Sequence, residues 1–144
     1  MYNKTKMINQ KSFSFKFNNV QNEYNFFVNK TNYYAFDTLI NNDTKFCFLY
    51  GPKKSGKSYL SHIWLKKNKA IEYDENNNLK IDDDKNILID DFVFYNEERI
   101  FHIVNNCILN NSKILITSCN KINEIKFKYN DLSSRLKTFS KLEI

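Results

Sequence analysis

Gly51-Pro52-Lys53-Lys54-Ser55-Gly56-Lys57-Ser58 is the stretch on which the reading of this chain turns. The whole sequence holds 2 Gly and 1 Pro, and all three fall between residues 51 and 56. A chain that otherwise avoids glycine has placed both where the backbone bends and approaches something closely. The spacing is G-x-x-x-x-G-K-[ST], a phosphate-binding loop. In front of it the apolar run Phe46-Cys47-Phe48-Leu49-Tyr50 reads as a strand, and behind it Tyr59 to Lys66 reads as a helix. Strand, loop and helix in that order are the context the motif requires. The competing reading is a lysine-rich surface turn, which matches by chance in roughly one chain of this length in a hundred or fewer.

The chemistry of such a loop follows from its amides. The first amides of a helix have no intrahelical partner, and with the loop amides they ring an anion. Lys57 would then reach the β- and γ-phosphates of ADP or ATP, and the Ser58 hydroxyl would bind Mg²⁺.

Ile87-Leu88-Ile89-Asp90-Asp91-Phe92 is the next informative stretch. An unbroken apolar run reads as a buried parallel strand, and ligands of open α/β sheets sit at the carboxyl ends of such strands. Asp90 would complete the Mg²⁺ shell and Asp91 would orient a water; a plain strand meeting a turn gives the same letters. Ile114-Leu115-Ile116-Thr117-Ser118 predicts another buried strand. Thr117, Ser118 and Asn120 could reach a γ-phosphate or an attacking water at its end, and an ordinary strand exit fits equally well.

The remaining elements fill in around these. Residues 1–12 are polar and lysine-rich and read as a tail, with 13–144 as one nucleotide-binding domain. Phe13, Phe15 and Phe17 alternate with polar residues as in an extended segment. Thr31 is placed to cap a helix running through Tyr34, Ala35, Phe36, Leu39 and Ile40. Ala70 to Tyr73 predicts a second strand, and residues 74–86 an acidic, Asn-rich connection with Leu79 and Ile81 as its apolar contacts. Glu97 to Asn110 carries apolar residues at helical spacing, with His102 read as a packed or surface residue. A short helix begins at Asp131, and Ser140 to Ile144 reads as a last strand. The fold class expected is α/β: a parallel-sheet P-loop NTPase core flanked by helices.

Composition narrows the setting. The net charge of +6 comes from basic residues scattered along the chain, which argues for a generally basic surface rather than a nucleic-acid stripe. Cys47, Cys107 and Cys119 are widely spaced with no C-x-x-C, as in a cytoplasmic protein with reduced, partly buried thiols. No apolar run approaches membrane-spanning length.

Taken in order, Phe27-Val28 with Asn32 and Ala35, LYGPKKSGKSYLSHIW, LIDDF, ERIFHIVN, ILITS and DLSSRL resemble the DnaA family of bacterial replication initiators, and most closely its shorter Hda branch. The resemblance covers about residues 10 to 144. It implies an AAA+ core in which Gly51 through Ser58 and Tyr59 cradle the phosphates and Asp90 holds the metal. It implies that Phe27, Val28 and Asn32 meet the adenine and ribose, and that Thr117-Ser118 is the sensor-1 position. It makes Arg135 an arginine finger acting on nucleotide bound by a neighbour; one exposed arginine among many basic residues is the plainer reading. Gln10-Lys11-Ser12-Phe13-Ser14-Phe15 resembles the family's docking motif for the DNA polymerase sliding clamp, although the same phenylalanines could pack on the core.

The function so implied is an Hda-like regulator that binds ADP or ATP, docks on the clamp and promotes hydrolysis of DnaA-bound ATP. It would have at most weak ATPase activity of its own and meet DNA indirectly. A DnaA-like or helicase-loader module engaging single-stranded DNA is the alternative. A small-molecule kinase would need an Arg-rich lid, and this chain has only Arg99 and Arg135 to offer. Three departures from the family pattern stand out. Lys54 replaces a common glycine, Cys119 replaces a common acidic residue, and the chain stops at the expected fifth strand, before the family's helical lid.

Overall fold

The computed structural model describes residues 26–76 and 84–144. The tail, the alternating Phe13–Phe17 segment and the middle of the acidic connection lie outside the described residues. Five strands form one all-parallel sheet: β1 (Phe46–Tyr50), β2 (Ile71–Glu72), β3 (Ile87–Ile89), β4 (Ile114–Ser118) and β5 (Ser140–Glu143). Their order is β2-β3-β4-β1-β5, so β4 lies between the strand that feeds the loop and the strand that leads to Asp90. Register is tight: Phe48 lies opposite Ile116 and Leu49 opposite Thr117.

Alternation along these strands divides the core into two layers. Phe48, Ile87, Ile89, Ile114 and Ile116 face α3 (Glu97–Asn110) and α4 (Asn130–Leu136), which contribute Ile100, Val104, Leu132 and Leu136. Cys47, Leu49, Leu88, Leu115 and Leu142 face the other way, against Leu60, Ile63 and Trp64 of α2 (Lys57–Lys67) and Ala35, Phe36 of α1 (Tyr33–Phe36). Cys47 and Cys107 are free thiols inside these layers, and burial pushes both up to about 12. No helix among the described residues is long and apolar enough to cross a membrane.

Some elements differ from expectation for local reasons. Thr31 does not cap α1. Asn29 Oδ1 accepts from the amides of Thr31 and Asn32 and from the Thr31 hydroxyl, so an Asx turn captures the group that would have capped. The helix then widens into a π-turn over Asp37–Asn41, closed by Asn42 N–H donating to the Asp37 carbonyl. β3 covers the apolar run Ile87–Ile89, and Asp91 turns left-handed (φ 53°) just beyond its end.

Few glycines also means that helices end on other residues. After α2, Ala70 N–H donates to Leu65 O and Lys69 N–H to Lys66 O, a Schellman ending with Lys69 at φ 51°. α3 ends the same way with Asn111 at φ 58°. A left-handed lysine costs about 1–2 kcal/mol, more than the roughly 0.4–1 kcal/mol of chain entropy that glycine adds to the unfolded state. Lys69→Gly should therefore stabilise the fold by about 0.5–1 kcal/mol, read as a rise in the urea midpoint at unchanged slope.

Candidate functional site

β1 delivers the chain to Gly51 at the carboxyl edge of the sheet, where the Gly51 amide donates to the Ser118 carbonyl of β4 at 3.2 Å. A Cβ here would collide with the carbonyl oxygen of Ile144 and lie 2.9 Å from its Cγ2, so only glycine fits. Gly56 has φ 100°, and a Cβ there would stand 3.2 Å from the Phe26 ring. Between them Lys54 takes the left-handed conformation (φ 64°) that a glycine would adopt without strain.

Lys57 opens α2 and points its side chain back into the loop. It is 6% exposed, and its Nζ donates to the carbonyls of Gly51 (2.8 Å) and Pro52 (2.9 Å). No carboxylate pairs with it among the described residues. A buried ammonium held only by neutral dipoles is poorly compensated. It carries three donors, so one remains for an incoming oxyanion.

Beside it runs a chain of oxygen atoms from the first turn of α2 across the ends of β3 and β4. Ser58 Oγ donates to Asp90 Oδ2 at 3.1 Å, and the fully buried Thr117 Oγ1 donates to Asp90 Oδ1 while accepting from the Asp91 amide at 2.8 Å. Ser58 and Asp90 are hard oxygen donors converging at the loop, which suits Mg²⁺: that ion takes one or two protein oxygens and completes its shell with phosphate and water. Asp91 is half-buried at the same edge.

Of Thr117 and Ser118, the paired polar residues at this strand end, only Thr117 reaches Asp90. Strand alternation turns Thr117 toward the α2 layer and Ser118 to the opposite face, where Ser118 Oγ accepts from the Asn120 amide. The residues expected at adenine and ribose also separate. Val28 is in the core, and Asn32 is 6% exposed with its amide tied to Phe27 O and Asn29 N–H. Only Phe27 turns outward, at 65% exposure. Phe26, unremarked in the sequence, is the ring that meets the loop: it stacks on Phe36 at 5.8 Å, meets Tyr59 edge-on at 6.0 Å and abuts Gly56. Lys53, Lys54 and Pro52 are exposed along the loop crest. Arg135 is exposed on α4, in the layer on the far side of the sheet from α2. Gln10, Phe13 and Phe15 lie outside the described residues.

His102, read as a packed or surface residue, is exposed beside Glu98, whereas His62, to which the sequence assigned no role, lies at the site. His62 Nδ1 meets the Ser58 carbonyl at 2.6 Å and Nε2 meets Glu72 Oε1 at 3.1 Å. Both partners only accept, so the doubly protonated ring satisfies both. Burial works against that charge, but the Ser58 carbonyl, the Glu72 carboxylate and the charge of Asp90 outweigh it and hold His62 above the usual histidine range. Its position four residues after Ser58, on the same helix face, was the available signal.

With this geometry in hand, comparison with solved structures is decisive for the architecture. DnaA bound to AMPPCP and single-stranded DNA superposes with TM-score 0.71 at 22% identity, over 86% of this chain and 49% of that one. Domain III of Thermotoga maritima DnaA gives TM-score 0.72 at 18% identity, covering 88% of this chain and 68% of its own. The fold is the parallel-sheet α/β fold that these DnaA structures share. DnaI gives 0.54 at 16%, covering 77% and 79%. The chain spans about half the length of the DnaA structure bound to single-stranded DNA. No protein-family profile matches the sequence, and no curated protein does.

Within this DnaA-like fold, Thr117 is the keystone of the carboxylate edge. Thr117→Val keeps its shape but strands the Asp91 amide and removes a donor from Asp90, a loss of about 1–3 kcal/mol. Urea unfolding should show that loss, and Thr117→Ser should recover most of it.

Proposed function

We propose that this chain is a nucleotide-binding regulatory module of DNA replication initiation, which holds ADP or ATP with Mg²⁺ and acts on DnaA in the manner of Hda. The observation that carries the reading is Lys57, a buried cation with no acidic partner among the described residues, held within the loop only by the carbonyls of Gly51 and Pro52. A polyphosphate supplies the missing charge. Mg²⁺ would be held by Ser58 Oγ and Asp90 and would neutralise charge shared between phosphate oxygens. Asp91, at the same edge, would orient a water.

Support for the replication setting comes from the likeness to DnaA and DnaI, which extends over most of this chain. Support for action on a partner comes from Arg135, exposed and separated by the sheet from its own loop, as a finger working on a neighbour's nucleotide would be. Clamp docking through Gln10, Phe13 and Phe15 belongs to the same reading. The alternative, an initiator or helicase-loader module on single-stranded DNA, draws on the neighbour solved with that ligand and on Phe27, Tyr34 and Phe94, aromatic rings at least 65% exposed that bases could stack on.

Calorimetry tests the nucleotide. Lys57→Ala should weaken ADP and ATP binding at least about thirtyfold with the fold retained, and equal binding by wild type and variant would refute the site. A DnaA ATPase assay tests the partner. Arg135→Ala should keep its own nucleotide affinity and lose stimulation of DnaA; unchanged stimulation would leave Arg135 a surface residue. Retention of single-stranded DNA at physiological salt, without any effect on DnaA, would favour the alternative.

A further inference from the structure

The Ser58 carbonyl sits in the first turn of α2 and carries an unusual load. Besides serving as a helix acceptor, it takes the Ser61 hydroxyl at 2.9 Å and His62 Nδ1 at 2.6 Å. The other side of the His62 ring is fixed to Glu72 Oε1 at 3.1 Å, at the carboxyl end of β2. β2 is paired in parallel with β3, Glu72 opposite Leu88, two residues before Asp90. On its side-chain end, Ser58 donates to that same Asp90, which Thr117 holds from β4.

The backbone of Ser58 is thus gripped from β2 while its hydroxyl is presented to the end of β3. Among the described residues, the His62 ring is the side chain that ties the Ser58 carbonyl to β2, while Leu60 and Tyr59 hold the same turn to the core and to Phe26. We propose that His62, braced by Glu72, is a positioning residue that sets the Ser58 hydroxyl against Asp90 and thereby tunes how the nucleotide site takes up Mg²⁺. The proposal rests on the nucleotide-binding reading. It assigns His62 no contact with nucleotide or metal. The second-layer partner of a ligand commonly changes metal affinity by 10- to 100-fold, because it fixes where the ligand atom stands.

The plainer role for the pair is a helix-to-strand ion pair at the surface, since His62 and Glu72 are both nearly half exposed, and such pairs contribute little. The two roles separate in a Mg²⁺ titration. A fluorescent ADP analogue is bound to wild type, His62→Ala and Glu72→Gln, first in EDTA and then with rising Mg²⁺. The expected result is an EDTA affinity within about twofold of wild type for both variants, with the Mg²⁺ concentration at half-effect raised about tenfold or more in His62→Ala and in the same direction, less far, in Glu72→Gln. Glu72→Gln keeps the test intact should His62→Ala fold poorly. Unchanged Mg²⁺ midpoints in both variants, or an equal loss in EDTA and in Mg²⁺, would overturn the positioning role. Failure of the underlying reading is distinct: wild type would then bind no analogue in either condition.

Discussion

The phosphate loop at the carboxyl edge of this sheet is built around one buried ammonium. Lys57 has left water and received in exchange two backbone carbonyls, Gly51 O and Pro52 O. Neutral dipoles offset only part of the desolvation of a cation. The surrounding loop is shaped so that this arrangement can exist at all. Gly51 passes beneath Ile144 where no side chain fits, and Gly56 turns left-handed beside Phe26. The same charge sits at the N-terminal end of α2, where the first amides of a helix have no intrahelical partner.

Sheet order explains why the oxygen chain forms where it does. With β4 inserted between β1 and β3, Thr117 reaches sideways to Asp90 and receives the Asp91 amide, while Ser58 arrives from α2 above. Had β3 lain directly beside β1, no hydroxyl from β4 would stand between loop and carboxylate. Asp91 contributes by conformation as well as by chemistry: its left-handed turn ends the strand and aims its N–H at Thr117. Aspartate is among the few side chains that tolerate that turn.

Much of this was legible in the letters. Phe46–Tyr50, Glu97–Asn110 and Ile114–Ser118 were visible because apolar runs and helical spacing are strong local signals that the tertiary structure did not override. The loop was legible because the chain spends its only glycines there. What stayed hidden depended on geometry that letters do not carry. Thr31 and Asn29 are both cap-forming residues, and only the backbone turn decides which hydrogen-bonds first. Thr117 and Ser118 are adjacent and similar, and only the face each occupies separates their roles. His62 gains meaning from Glu72, ten residues away and on a different element, a pairing that requires β2 to be placed before it can be seen. Phe26 differs from Phe27 solely in which way it turns.

The passage of Ile144 over Gly51 makes the last strand a load path. Ile144 N–H donates to Tyr50 O, the residue just before the loop, and its carbonyl covers the glycine that follows. Among the described residues β5 is an edge strand, paired with the sheet through β1. The end of β5, anchored in the core by Leu142, therefore meets the phosphate loop directly at Tyr50 and Gly51. A tug that lifted Ile144 would free the space above Gly51 and let the loop carbonyls that grip Lys57 swing. The end of the last strand and the carbonyl that holds Lys57 Nζ are thus separated by a single glycine, with no side chain between them.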